Sequence, residues 1–108
     1  MTAWLSLLLA IGFEIVGTAL LKLSNGFENL LWGGLALTAY WASLWFLAPA
    51  IKTIPIGVAY AIWAGVGILA VAIIGLVFFG QRLALIQYAF IAMILIGAFG
   101  LRLTTEAS

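Results

Sequence analysis

The chain has 108 residues, of which 68% are hydrophobic and 6% charged, with a formal net charge of +1; its mean hydropathy is +1.35. A soluble domain of this length needs far more charge to cover its surface, so lipid is expected to face most of the outside. With no Cys, His or Asp, the sequence excludes a disulfide framework, a thiolate nucleophile, a haem ligand, the usual zinc sites, calcium loops and paired-Asp chemistry. So small a net charge gives no reason to expect nucleic acid as a partner.

The first predicted element covers residues 2–23. Its apolar start resembles a secretory signal but lacks a basic opening and an Ala-x-Ala exit, and the apolar run continues past Glu14, so it reads as a retained first helix. Glu14 lies about 11 residues into a span of about 20, near the bilayer centre, where a charge costs ~2.5–3.5 kcal/mol. It should therefore face a polar cavity or another helix. Ala10, Glu14 and Thr18 fall on one helical stripe with Gly17 alongside, and these small neighbours leave room for a guest beside the carboxylate. A carboxylate so placed can hold a proton or surrender it to a cation. Because both ligands need the same group, their binding is mutually exclusive, as antiport requires. The alternative is a protonated Glu14 serving only as interhelical glue.

After a turn-forming stretch, Ser24-Asn25-Gly26-Phe27-Glu28-Asn29, a second span is predicted over residues 32–51. Tyr40 and Ser43 share a face there, Trp41 and Trp45 read as lipid or core packing, and Pro49 is expected to bend or end the helix. The third span is predicted over residues 57–79, with Tyr60 and Trp63 on one face. Aromatic faces attract desolvated cations. Gly65-Val66-Gly67-Ile68-Leu69-Ala70 formally matches a dinucleotide fingerprint, but no strand precedes it and no acid follows at the required spacing. Gly65 and Gly67 read instead as a conformational hinge. A fourth span is predicted over residues 85–103. Continuous hydrophobicity, rather than alternation, makes all four spans helices. The expected architecture is a single all-α integral membrane domain over residues 1–108.

Six of the seven charged residues, Lys22, Glu28, Lys52, Arg82, Arg102 and Glu106, fall at predicted helix ends or in connectors, as interfacial anchors do. Trp4 and Trp32 are expected in the aromatic belt. With an even number of spans, Lys52 and Arg102 share one side of the membrane and Lys22 and Arg82 the other. The tie removes any preferred orientation, so opposite copies could pair as an antiparallel homodimer. There is no phosphate-binding loop and no acidic metal cluster. No cofactor is expected, and the proton gradient remains as the energy source.

Over nearly its whole length the chain resembles the small multidrug resistance family of bacterial proton-coupled exporters. The resemblance is carried by Glu14-Ile15-Val16-Gly17-Thr18, by Lys22-Leu23-Ser24-Asn25-Gly26-Phe27, by the run from Ile54-Pro55-Ile56-Gly57 through Tyr60-Ala61-Ile62-Trp63 to Gly65-Val66-Gly67, and by Phe78-Phe79-Gly80-Gln81-Arg82-Leu83. It implies a dual-topology antiparallel homodimer in the inner membrane, with Glu14 of each protomer shared between protons and an organic cation. It further implies that Tyr40, Tyr60 and Trp63 line the pocket and that Thr18 and Ser43 border it. The fourth helix, through Ala92, Gly97 and Gly100, would make the dimer contact. Gly17-Thr18, Tyr40 and Phe79-Gly80-Gln81-Arg82 look like the branch that exports quaternary ammonium and polyaromatic compounds. Ala64 stands where both branches usually carry a hydroxyl, which leaves a guanidinium or small natural quaternary amine exporter as the alternative. A non-transporting membrane subunit is the reading from a different class. No nucleophile–base pair suggests an enzyme.

Overall fold

The computed structural model describes residues 2–105. Glu106, an expected anchor, lies outside them. Four helices follow in order: α1 (Ala3–Leu23), α2 (Leu30–Ala50), α3 (Ile56–Phe79) and α4 (Leu85–Thr104). All four are long and apolar enough to cross a membrane. In hydrocarbon no water can satisfy a stray backbone group, and a helix pairs all but its terminal ones internally.

The ends are set by local chemistry. Thr2 Oγ1 accepts the Leu5 N–H at 3.2 Å to cap α1. Asn29 Oδ1 accepts from the N–H groups of Leu31 (3.1 Å) and Trp32 (3.3 Å), which starts α2 two residues earlier than hydropathy predicts. Pro49 lies in the last turn of α2, which stops at Ala50. α3 ends where Gly80 turns left-handed at φ 65°, and the Gly75 carbonyl accepts from both Gly80 and Gln81. At the start of α4, the Gln87 side chain accepts the Ala84 N–H at 2.7 Å. Between α1 and α2, Asn25, Gly26 and Phe27 are all left-handed, with φ of 53°, 67° and 71°. For Phe27 that is strained. The strain is offset where its N–H donates to Ser24 Oγ at 3.0 Å and its ring lies over Gly33.

Packing is uneven. α1 lies along α2, α3 pairs with α4, and α1 also touches α3. The protomer is a slab of 42 × 34 × 17 Å. Small residues bring α1 and α2 together, and two serines fasten the seam. Ser6 Oγ donates to the Phe46 carbonyl at 2.8 Å and Ser43 Oγ to the Ala10 carbonyl at 2.7 Å. The buried apolar cluster, including Leu7 and Ile11 of α1, Leu47 of α2, Ile54, and Ile62 of α3, gathers where α1 and α3 begin and α2 and α4 end. At that end the Arg102 guanidinium lies 4.2 Å over the Trp4 ring. Trp4 therefore packs between helices, not only in an aromatic belt. Ala98 is the sole described buried residue of α4.

Membrane helices gain no hydrophobic drive from each other, so interhelical hydrogen bonds count directly. Ser6→Ala and Ser43→Ala are each expected to lower unfolding free energy in detergent by about 0.6–1.7 kcal/mol. A chemical-denaturation series on the single and double variants checks this.

Candidate functional site

Glu14 sits at mid-length on α1, half-buried, with its carboxylate turned toward α3. One turn later Thr18 Oγ1 donates to Glu14 Oε1 at 3.0 Å. The same hydroxyl lies 2.9 Å from the Tyr40 hydroxyl on α2. Thr18 has one hydroxyl proton, and it is committed to Glu14. While Glu14 is ionised Tyr40 must therefore donate, so the order then runs from Tyr40 through Thr18 to Glu14. The Tyr40 ring owes its position to Gly17: a β-carbon there would lie 2.8 Å from two ring carbons and 3.2 Å from the Ala36 carbonyl.

On its other side Glu14 opens into a cleft of about 450 Å³ between α1, α3 and α4. Glu14 and Thr18 form one wall, and the α3 stripe of Trp63, Ala64, Gly67, Ile68, Val71 and Ala72 forms the opposite one. Leu83 and Ile91 close the α4 side. Among the described residues, Glu14 is the only charged one in the lining. Gly67 lets the α3 backbone come close, because a β-carbon there would stand 3.8 Å from Glu14 Oε2. Thr18 also borders a smaller cavity of about 180 Å³ that leads to Lys22 and Gln81. Its lining includes Leu83 of the α3–α4 connector and none of the buried cluster at the packed end with Trp4 and Arg102.

The structure brings together Glu14, Thr18, Tyr40, Trp63 and Gly67 from the residues singled out in the sequence. Ala10 and Ser43, expected beside the pocket, are instead buried in the α1–α2 seam and bonded to each other. Tyr60 stacks on Trp63 at 6.4 Å between ring centroids, but its side chain is 59% exposed and does not line this cleft. α3 runs unbroken through Gly65 and Gly67. Gly65 lets α4 approach, since a β-carbon there would meet that of Ala98 at 3.0 Å. Ala92 and Gly97 lie exposed on α4, and Gly100 is half-exposed. Sequence reading missed Ile68, Val71 and Ala72 in the cleft wall. Extending the helical spacing onward from Trp63 and Gly67 identifies them.

Residues 2–94 match the family described as Small Multidrug Resistance protein. The chain belongs to that family. It is 37% identical over 108 residues to the quaternary ammonium compound-resistance protein QacF of Klebsiella aerogenes, covering 100% of this chain and 98% of that one. It is 38% identical over 104 residues to a guanidinium exporter of Escherichia coli, covering 96% and 99% respectively. It is also 39% identical over 100 residues to an uncharacterized membrane protein, YvaE, of Bacillus subtilis, covering 93% and 84%. Four spans and this family make the protein a multi-pass transporter of the bacterial inner membrane and not an enzyme.

Overpacking under Tyr40 should be costly, and filling space beside Glu14 should not. Gly17→Ala is expected to destabilise the protein by about 1–3 kcal/mol. Gly67→Ala meets nothing nearer than 3.8 Å and should cost less. Unfolding of the two variants in the same detergent checks the order, and equal losses would disprove the close approach at Gly17.

Proposed function

We propose that the protein exports hydrophobic or quaternary ammonium cations in exchange for protons, with Glu14 holding each in turn. The observation that carries this reading is the cleft beside Glu14. It is far larger than a guanidinium ion, and apart from Glu14 and Thr18 it is lined by apolar or aromatic side chains. A guanidinium brings N–H donors around its whole edge. In such a site most of them would be buried without acceptors, and each unmade bond costs about 1–3 kcal/mol. A quaternary ammonium ion has no N–H to satisfy. It needs one counter-charge and apolar walls, with the Trp63 face adding attraction for the desolvated cation. Ala64 lines the wall without offering a guanidinium a hydroxyl. The relatives named for guanidinium export keep that cation as the second reading.

The reading includes a second copy. The outer face of α4 is bare in the protomer, and the basic residues tie across the membrane. An antiparallel partner placed on α4, over Ala92, Gly97 and Gly100, would roof the open cleft and bring a second Glu14 to the site. Exchange between two unlike protomer shapes would then open the shared site to each side in turn. Gly65 and Gly67 interpose no side chain between α3 and its neighbours, so they are the places where α3 can shift against α4 and Glu14.

Substrate-induced currents in proteoliposomes test the reading. Tetraphenylphosphonium and a benzyl quaternary ammonium should give currents that guanidinium does not match, and Glu14→Gln should abolish them. Guanidinium currents above both aromatic cations would favour the second reading, and currents surviving Glu14→Gln would refute the mechanism. Acidification favours the protonated carboxyl, and the cation needs the ionised one, so tetraphenylphosphonium affinity should fall with pH. Equilibrium dialysis across pH checks the sign.

A further inference from the structure

A second built feature lies on the opposite side of the protomer. Along the outer face of α2, Trp41, Leu44, Trp45, Ala48, Pro49 and Lys52 enclose a groove of about 490 Å³. Trp41 and Trp45 stack at 5.5 Å between ring centroids, 29° apart, and both are about two-thirds exposed. Ala48 and Pro49 are small, so they leave a notch between the rings and the Lys52 stem. Lys52 makes no ion pair among the described residues. The transport reading uses none of these six residues.

We propose that this groove binds one anionic phospholipid, its phosphate on the Lys52 ammonium and an acyl chain along the notch against Trp45 and Trp41. The dimensions suit it. From Trp41 to Lys52 is eleven steps along the chain, about 16 Å at the helical rise. That matches one leaflet of a hydrocarbon core about 30 Å thick. Lys52 follows the end of α2, where headgroups lie, and the rings reach down to the depth of the acyl tails. The stacked aromatic pair presents apolar surface to a flexible chain, and the Lys52 ammonium, without an ion pair among the described residues, supplies the charge complement for phosphate. The groove itself holds no acid, so a second copy presenting the same six residues brings Lys52 no counter-charge.

Quenching of tryptophan emission by dibrominated lipids tests the site in the full-length protein, reconstituted in bilayers. The Trp41/Trp45 contribution is the difference between the unaltered protein and the W41F/W45F double variant. This removes the background from Trp4, Trp32 and Trp63. Dibrominated phosphatidylglycerol in unlabelled phosphatidylcholine should quench that contribution at about fivefold lower mole fraction than the reverse pairing, the ratio expected for one lysine at an anionic surface. Lys52→Gln should abolish the preference, Lys52→Arg should keep it, and Lys22→Gln should leave it unchanged. Helical content by circular dichroism confirms that each variant is folded. Equal quenching by both lipids, or a preference that survives Lys52→Gln, would overturn the proposal. Emission that neither lipid quenches would also overturn it, in favour of a protein partner on this face.

Discussion

A carboxylate in hydrocarbon is costly unless something replaces the water it has lost, and much of this protein is arranged around Glu14. On one side the replacement is fixed. Thr18 donates to Glu14 from the next turn of the same helix, and Tyr40 donates to Thr18 from α2. On the other side the carboxylate faces a cleft with no second charge among the described residues of its lining. The rigid side satisfies part of the acid's hydrogen-bonding capacity. The remainder is available for a proton or a cation.

That division matches the packing. α1 and α2 meet through small residues, Gly17 and Ala36 among them, and two serine–carbonyl bonds fasten the seam. Close backbone approach is how membrane helices associate when lipid is as apolar as their own side chains. α3 and α4 form a looser pair, held to α1 mainly at the end where Ile62 and Ala98 join the buried cluster and Arg102 covers Trp4. Packing is therefore tight at that end, and the cleft beside Glu14 lies open between α1, α3 and α4.

Hydropathy made the four helices legible, because each apolar run is long enough to span and its interruptions are turn residues. The boundaries were less so. Asn29 reads as a loop residue in the sequence, and in the structure its side chain caps α2. Glu14 was legible because it is out of place, and Thr18 because helical spacing sets it beneath the acid. The Tyr40–Thr18 bond was not, since it joins residues 22 apart and depends on a register fixed by which small residues meet. The same seam draws Ser43 onto the Ala10 carbonyl and away from the cleft. The α3 wall was hidden for another reason. In a membrane protein an apolar residue reads alike whether it faces lipid, core or an empty cleft, so Ile68 and Val71 carried no signal of their own.

Donor counting then gives the fixed side of the site a second property. While Glu14 is ionised it can only accept, so Thr18 must donate to it and Tyr40 must donate to Thr18. Once Glu14 carries a proton it can itself donate, and the chain can run the other way, from Glu14 through Thr18 to Tyr40. The phenol then has its own proton free and needs a new acceptor. Both directions use the same distances, so reversal requires only that hydroxyl protons rotate. The occupancy of an acid on α1 is thereby expressed as the hydrogen-bonding demand of a tyrosine on α2, with no helix moved.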